Sequence, residues 1–313
     1  MQKTIITVTL NPCLDKTITL DGFCEGGLNR AEAVRTDAGG KGINVAKVLM
    51  RFGSRPLALG FLGQNGSRPI LEELENRGIA HDFCVTEGNT RTNYKLFDRA
   101  KQQVTEVNEP GFAVEEPNIR EFTAKLEEKL QNASALVLAG SCPTGVTAGF
   151  YGRLTEFARQ YRVKTILDAD GDRLAAGLSA KPYAIKPNRF ELEQLHGGAF
   201  DDDAAMYGYC RKLLDSGVGL IVLSMGSDGA AFLQNDEAWR VHLAPVSCQS
   251  TVGAGDSMTA LTAYGLERGL SLSELARLAT AAGTMTASKP GTEVCTAEEV
   301  QEYKKKLRLE KIW

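Results

Sequence analysis

Residues 251–257 (TVGAGDS) combine the residue types needed to hold a phosphate group and to remove a proton beside it. Gly253 and Gly255 flank Ala254 directly before an apolar helical pattern, so the backbone can approach a ligand closely and the first helical amides can face it. Asp256 follows in the same turn, where an ionised carboxylate can act as a general base. The segment predicts an anion site beside a base, as phosphoryl transfer requires. The alternative is a helix cap whose glycines serve packing only.

A second glycine-rich turn, at residues 39–42 (GGKG), also comes directly before an apolar helical pattern. Lys41 at this helix start and Arg91 on a predicted strand are two cations that could bind one phosphate group of a substrate. A neutral sugar would not need them. The residues alone favour the alternative, in which both cations are solvated or paired with acids such as Asp37 and Glu106.

Asp15 and Asn44 offer an acceptor and an amide group suited to adjacent sugar hydroxyls. Asp15 follows the pair Asn11-Pro12, so it can equally be a turn residue. Asn44 can equally hydrogen-bond the loop beside it. Both alternatives stay open from the sequence.

Residues 186–191 (KPNRFE) follow a predicted strand and open a predicted helix. Asn188 and Glu191 lie on one helix face, where their oxygens suit a hydrated Mg²⁺; the alternative is an Asn helix cap with a nearby acid. The turn at 224–229 (SMGSDG) ends a predicted buried strand. It therefore predicts a backbone cradle for a nucleotide at the carboxyl edge of a sheet, or else a plain hairpin turn.

Composition and charge exclude several classes of protein. The 313 residues carry a formal net charge of −3 with dispersed Lys and Arg, which argues against a nucleic-acid partner, and residues 304–306 with Arg308 are predicted to be a solvated helix face. Seven cysteines without a C-x-x-C pair predict a reduced, cytoplasmic protein. Three histidines without metal-ligand spacing argue against zinc, and no run of 18 apolar residues predicts a membrane span.

The chemistry-bearing residues need a rigid frame, and the sequence predicts one α/β domain over residues 1–313. Residues 4–10 predict a buried first strand, and beyond residue 117 strands and helices alternate, which implies a parallel sheet with crossover helices. Segments at about 12–37 and 88–109 alternate polar and apolar residues, which is typical of strands with one wet face. We expect these two segments to form a small β-sheet lid.

Two signatures, about two hundred residues apart, resemble those of the ribokinase-like (PfkB) sugar kinase family: residues 39–46 (GGKGINVA) and residues 250–263. Further matches occur at Asn11-Pro12 with Asp15, at 90–93, at Gly140-Ser141 with Pro143 and Gly145, at Lys186-Pro187-Asn188 with Glu191, and at Ser224-Met225-Gly226. The resemblance covers almost the entire chain. It implies a three-layer α/β/α domain with a central, mostly parallel sheet, and an ATP-dependent kinase that uses Mg²⁺.

The resemblance also implies a role for each matching residue. The catalytic base falls on Asp256, and the anion-binding amides fall on Gly253, Ala254 and Gly255. The expected sugar-phosphate ligands are Asp15, Gly39, Gly40, Lys41, Asn44, Arg91, Asn93 and Ser141. The expected ATP ligands are Lys186, Asn188, Ser224, Gly226, Ser227, Gly229, Thr251 and Gly283. Mg²⁺ is expected at Asn188 and Glu191.

Within the family, Lys41 beside the glycine turn resembles the kinases of fructose 1-phosphate and tagatose 6-phosphate, and residues 90–96 and 105–111 resemble the former more. The resemblance implies transfer of the ATP γ-phosphoryl group to the 6-hydroxyl of fructose 1-phosphate. Tagatose 6-phosphate or fructose 6-phosphate is the alternative acceptor, and a catalytically silent sugar-phosphate sensor is the alternative from another class. Lid-paired relatives also imply a homodimer.

Two positions depart from the family pattern. Ser250 stands where many relatives carry an aspartate that helps to hold a monovalent cation, which puts activation by potassium in doubt. Cys142 and Thr144 interrupt the usual Gly-Ser-Leu-Pro-Pro-Gly. We expect that change to alter the shape of the pocket and to leave the catalytic groups intact.

Overall fold

Runs of β-branched and aliphatic residues form the strands, and amphipathic stretches form the helices that cover them. The structure, a computed structural model, describes residues 3–313. Its strands are β1 Thr4–Thr9, β2 Cys13–Leu20, β3 Ala33–Gly39, β4 Leu57–Asn65, β5 Ala80–Asn89, β6 Arg91–Asp98, β7 Gln103–Asn108, β8 Ala133–Ala139, β9 Lys164–Asp168, β10 Ala184–Ile185, β11 Leu220–Ser224, β12 Ala230–Leu233, β13 Ala238–His242 and β14 Arg308–Lys311. Its α-helices are α1 Lys41–Arg51, α2 Arg68–Asn76, α3 Glu116–Leu130, α4 Phe150–Gln160, α5 Gly171–Leu178, α6 Arg189–His196, α7 Asp203–Asp215, α8 Ala254–Arg268, α9 Leu272–Ala287 and α10 Ala297–Lys304.

A ten-stranded sheet forms the centre, in the order β14-β13-β12-β11-β10-β9-β8-β1-β4-β5. The strands from β11 to β5 in that order pair in parallel, whereas β12, β13 and β14 extend one edge antiparallel. Helices α3 to α7 pack on one face around Phe122 and Phe150, and helices α1, α8, α9 and α10 pack on the other around Val48 and Leu261. The predicted α/β fold with a mostly parallel sheet between two helical layers is confirmed.

A separate four-stranded sheet, in the order β3-β2-β6-β7, is built from two segments that flank α1 to β5 along the chain. Strands β2 and β6 pair in parallel at its centre, and β3 and β7 are antiparallel edge strands. We refer to this sheet as the lid. Its central strands carry the half-buried pattern expected of a sheet with one wet face, whereas every residue of β7 is exposed.

Helix α5 and the C-terminal tail differ from the secondary structure that the sequence predicts. Helix α5 at Gly171–Leu178 was not predicted, because its glycines and its short length give a weak helical pattern. The C-terminal tail was predicted to be helical through Arg308, but α10 ends at Lys304 and Arg308 begins β14, which pairs with β13. Tertiary pairing at the sheet edge decides the conformation there. Within residues 3–313, no helix is both long and apolar enough to cross a bilayer.

Candidate active site

The segment with the strongest chemical signal forms the first turn of α8. Gly253 caps this helix in the left-handed conformation, with φ of 77°, which a side chain would disfavour. The backbone amides of Gly253, Gly255 and Asp256 have no hydrogen-bond acceptor within the described residues, whereas the amide of Ala254 lies 3.4 Å from the carbonyl oxygen of Thr251. A helix start with free amides and a positive dipole end attracts an anion.

Asp256 lies in this first turn and is 7% exposed. The side-chain amide of Asn44 donates a hydrogen bond of 2.8 Å to Oδ2 of Asp256. Burial raises the pKa of Asp256, although the nearby ammonium group of Lys41 and the hydrogen bond from Asn44 oppose the shift. A carboxylate with a raised pKa is a stronger base.

A buried acid that the sequence analysis did not single out lies beside this turn. Asp168 ends β9, and its Oδ1 lies 2.9 Å from the Nζ of Lys41 and 3.4 Å from the Nζ of Lys186. The hydroxyl of Thr259 donates to its Oδ2 at 2.6 Å. Burial alone would raise the pKa of Asp168, but Lys186 and Lys41 hold it below its ordinary value. The two lysines are thereby anchored at the base of α8.

The alternative prediction paired Lys41 with an acid such as Asp37 or Glu106, and the structure pairs it with Asp168 instead. Burial lowers the pKa of Lys41, but the attraction of Asp168 outweighs it and raises the pKa above its ordinary value. Lys41 therefore stays charged, and its side chain remains 38% exposed beside the cavity. Asp37 pairs with Arg35 at 2.8 Å.

The glycine turn before α1 is held by close contacts. Gly40 has φ of 114°, and a Cβ atom there would lie 2.6 Å from the side chain of Thr9. Two side chains hydrogen-bond to the backbone of Ala38, just before this turn. Lys47 donates to its carbonyl oxygen at 2.6 Å, and Glu73 accepts from its amide at 2.7 Å. These contacts fix where Lys41 enters the site.

Arg91 and Ser141 meet at the opposite side of this turn. The guanidinium of Arg91 donates to the carbonyl oxygen of Asn11 at 3.0 and 3.2 Å and lies 3.4 Å from the hydroxyl of Ser141. Among the described residues, no carboxylate lies within ion-pair distance of Arg91, so the predicted alternative pairing with Glu106 is wrong. The charge of Arg91 thus has no carboxylate partner in these residues, although its N–H groups contact oxygens of Asn11, Asn93, Glu109 and Ser141.

The lid contributes Asp15 and Asn93, which line the cavity. Asp15 lies 3.2 Å from the Nζ of Lys95, and a Cβ atom at Gly39 would lie 2.4 Å from its Oδ2. The amide of Asn93 contacts the Sγ of Cys13 at 3.2 Å and its carbonyl oxygen contacts Arg91 at 3.3 Å. Gly39 therefore serves the site by leaving room for the Asp15 carboxylate.

The remaining wall comes from the carboxyl end of β11 and from the start of α8 packed against α9. Ser224 ends β11, and a 3₁₀ turn at Gly226–Asp228 follows. Gly283 of α9 would place a Cβ atom 2.6 Å from Met258, so the tight packing of α8 against α9 also accounts for this glycine. Residues 243–246 add an apolar wall that the sequence analysis did not predict.

These walls enclose a cavity of about 900 Å³. The predicted site residues that line it are Asp15, Lys41, Asn93, Lys186, Asn188, Glu191, Ser224, Gly226, Ser227, Gly229, Thr251, Gly253, Ala254, Gly255, Asp256 and Gly283. The predicted residues that lie behind or beside the wall are Gly39, Gly40, Asn44, Arg91 and Ser141. The lid and the carboxyl edge of the central sheet thus face one shared cavity.

Comparison with known proteins identifies the family. Residues 8–299 match the family described as pfkB family carbohydrate kinase. The chain belongs to this family. A sugar kinase of this family uses ATP as the phosphoryl donor, and this requirement agrees with a cavity that opens on the free amides of α8.

Individual relatives of this carbohydrate kinase agree with that assignment. A 1-phosphofructokinase of Xanthomonas campestris pv. campestris is 40% identical over 282 residues, which cover 88% of each chain. A tagatose-6-phosphate kinase of Staphylococcus epidermidis is 31% identical and covers 97% of this chain and 99% of its own. The structure of phosphofructokinase-2 from Escherichia coli in complex with potassium is 27% identical, with a TM-score of 0.90 over 98% of this chain and 99% of that one.

The pair Asn188 and Glu191 in this kinase forms a reciprocal helix cap. Asn188 Oδ1 accepts from the amide of Glu191 at 2.8 Å, and Glu191 Oε2 accepts from the amide of Asn188 at 2.9 Å. The cap that the sequence left as an alternative is therefore present. Both residues also line the cavity, and Glu191 Oε1 has no protein partner within residues 3–313. One free carboxylate oxygen fits a Mg²⁺ ion that keeps most of its water, but not a metal held by protein alone.

Lys95 and Asp168 are the site residues of this kinase that sequence reasoning missed. Asp168 ends a buried strand at the carboxyl edge of the sheet, which is the same signal that singled out Ser224. Lys95 stands two residues after Asn93 on β6, so alternation places both on one face of the lid. In the part of the chain that the structure describes, no group of three or more His, Cys, Asp or Glu side chains has metal-binding geometry.

Proposed function

We propose that the chain transfers the γ-phosphoryl group of ATP to the 6-hydroxyl of fructose 1-phosphate, which gives fructose 1,6-bisphosphate and ADP. The observation that carries the proposal is Asp256, buried in the first turn of α8 beside free amides and facing a cavity shared by the lid and the sheet edge. The relatives support the substrate, because the proteins named 1-phosphofructokinase are 32–40% identical over most of this chain.

Asp256 acts as the base in this reaction. As the sugar O6 attacks the γ-phosphorus, its proton passes to Asp256, the new O6–P bond forms, and the bond from phosphorus to the oxygen of ADP breaks. The amides of Gly253 and Gly255 stabilise the charge on the transferring group. Lys186 supports them, since its Nζ would lie 3.2 Å from a Cβ atom placed on Gly255.

Lys41, Arg91 and Ser141 bind the phosphate that the sugar already carries. Arg91 lies within 3.4 Å of Ser141, and a Cβ atom on Gly140 would lie 3.6 Å from the Cβ of Lys41, so the three side chains surround one region. Lys41 can serve this phosphate while paired with Asp168, because an ammonium group has three donors. Asp15, Asn44 and Asn93 serve the sugar hydroxyls.

The ATP phosphates lie between the first turn of α8 and the turn at 224–229, with the adenine against the apolar wall at 243–246 and Gly283. When bound, Mg²⁺ neutralises part of the charge on these phosphates. Asn188 orients Glu191 through the reciprocal cap, and the free oxygen of Glu191 would hold Mg²⁺ or one of its water ligands. The assignment of these residues to the ATP phosphates, the adenine and Mg²⁺ is supported by their position in the wall of the cavity.

A substrate panel tests the proposal. We expect kcat/KM for fructose 1-phosphate to exceed that for tagatose 6-phosphate and fructose 6-phosphate by at least roughly tenfold, because the phosphate site is fixed at one end of the sugar and binds a misplaced phosphate poorly. A preference for tagatose 6-phosphate would favour the alternative that the relative from Staphylococcus epidermidis suggests. Binding of a sugar phosphate without ATP turnover would favour the sensor.

We also propose a homodimer that pairs through the lids, in the cytoplasm. On the face of the lid opposite Lys95, the edge strands β3 and β7 expose Val34 and Val107, each more than half exposed, which is an apolar surface suited to a second lid. The odd number of cysteines without a C-x-x-C pair supports a reduced compartment. Light scattering on the wild type and on a V34E/V107E variant tests the dimer, since the variant should be monomeric.

A further inference from the structure

Lys95 and Asp15 form a buried ion pair in the wall of the cavity. Lys95 lies on β6 and Asp15 on β2, and the Nζ of Lys95 is 3.2 Å from Oδ1 of Asp15. Their side chains are 10% and 9% exposed, and both residues line the cavity. Burial of a lysine side chain is costly unless it is paired, so the contact with Asp15 is what makes Lys95 tolerable in the lid.

The neighbouring residues fix the direction of the pair. Strands β2 and β6 run in parallel with Asp15 beside Asn93 and Thr17 beside Lys95, so the lysine side chain reaches back along β2 to the carboxylate. Gly39, on the other side of β2, leaves the space that Oδ2 of Asp15 occupies, because a Cβ atom there would lie 2.4 Å from that oxygen. The absence of a side chain at Gly39 therefore makes room for Oδ2, while Oδ1 faces Lys95.

Each member of the pair keeps hydrogen-bonding capacity that the protein does not use. An ammonium group has three donors, and Lys95 has no acceptor other than Asp15 within residues 3–313. Oδ2 of Asp15 accepts from no donor in the same residues, since its one thiol contact, from Cys13 at 3.9 Å, reaches Oδ1. Glu106, the cross-strand partner of Lys95 on β7, lines the cavity but lies outside ion-pair distance of Lys95. A free donor and a free acceptor thus stand side by side at the cavity wall.

We propose that this pair recognises two neighbouring hydroxyl groups of the sugar, with Lys95 as a residue that determines specificity. Asp15 accepts a hydrogen bond from one hydroxyl, and Lys95 donates to the oxygen of the next. The pair is neutral as a whole, so it adds no repulsion toward an anionic substrate. The inference rests on the proposed function, because it requires a sugar phosphate in this cavity.

A cycle of protein variants and substrate analogues tests the role of Lys95. We expect K95M to lower kcat/KM for fructose 1-phosphate by roughly 10- to 100-fold, since a buried polar partner is left without its hydrogen bond. The wild type should lose a similar factor on either the 3-deoxy or the 4-deoxy analogue of fructose 1-phosphate. For the K95M variant, kcat/KM on that same analogue should be nearly equal to its kcat/KM on fructose 1-phosphate, because the contact is already absent.

Two results would overturn the inference in distinguishable ways. If the wild type phosphorylates fructose 1-phosphate but the losses from K95M and from each deoxy analogue multiply, Lys95 does not contact the hydroxyl, and the proposed function stands. If the wild type does not phosphorylate fructose 1-phosphate, the proposed function and this inference fail together.

A matched lysine controls for damage to the lid. Lys101 lies in the turn between β6 and β7, is 60% exposed and contacts Asp98 at 3.8 Å, so K101M should leave kcat/KM within about twofold of the wild type. The KM for ATP should be unchanged in K95M. An equal rise of both KM values in K95M would indicate a collapsed lid and would contradict direct recognition by Lys95.

Discussion

Replacement of Asp168 by Asn should destabilise the protein. Asp168 is 1% exposed and is the shared counter-charge of Lys41 and Lys186, of which Lys186 is 6% exposed. Removal of one partner from a buried ion pair costs about 3–5 kcal/mol in the free energy of unfolding, and we take the lower end because Lys41 is 38% exposed and partly screened by solvent. About 3 kcal/mol corresponds to a Tm lower by roughly 5 °C for a chain of this length.

Urea unfolding and calorimetry at neutral pH measure this effect, with T259V as the matched control. That variant keeps the Asp168 charge, removes the 2.6 Å hydrogen bond to Oδ2 together with the 3.1 Å contact to the carbonyl oxygen of Gly255, and should cost about 1 kcal/mol. Because the folded pKa of Asp168 lies below its ordinary value, its contribution is present above pH 3.8 and is lost as the pH falls further. A D168N variant within about 0.5 kcal/mol of the wild type at neutral pH would refute the argument that Asp168 anchors two lysines.

Three further predictions concern the same cavity. The raised pKa of Asp256 places the acidic limb of the pH profile of kcat/KM above the ordinary carboxyl pKa of 3.8. Because Lys41 lowers this pKa, the K41M variant should move the acidic limb to still higher pH. An unmoved limb would show that the titrating group is not Asp256. The G40A variant should have a lower Tm and a lower kcat, because Gly40 has φ of 114° and a Cβ atom there would lie 2.6 Å from Thr9. Calorimetry and steady-state kinetics measure the two effects, and wild-type values of both would contradict this prediction. The E191Q variant keeps the helix cap but loses a charge. The Mg²⁺ concentration for half-maximal activity should therefore rise severalfold while Tm stays unchanged. A lower Tm with an unchanged Mg²⁺ requirement would mean that Glu191 serves only the helix cap.

The elements of the fold follow from local patterns in the sequence, and those patterns predict them well. The reciprocal caps at Ser271 with Glu274 and at Thr296 with Glu299 are both present at the starts of α9 and α10. Each depends on residues three apart, so a single sequence contains the full signal. By contrast, β14 depends on pairing with β13, more than sixty residues earlier in the chain, and its four residues carry no alternation that would predict a strand.

The site shows the same division between local and distant signals. Asp256 and its glycine turn were predictable because the chemistry and the helix start lie within seven residues. The partner of Lys41 was not, since Asp168 lies 127 residues away and only the sheet order brings β9 beside α1. The sequence predicted which residues carry charge, but only the fold decides which charges neutralise one another and which, like Arg91, have no ion-pair partner within residues 3–313.

The activity of the D256N variant tests the central claim most directly. We expect kcat with fructose 1-phosphate and ATP to fall by roughly 10²- to 10⁴-fold, as for the loss of a general base, while the KM for the sugar phosphate changes little. Tm should be equal to or above that of the wild type at neutral pH, because the raised pKa of Asp256 means that the ionised carboxylate is disfavoured in the fold. A folded D256N enzyme with a kcat within about threefold of the wild type would contradict the assignment of Asp256 as the base.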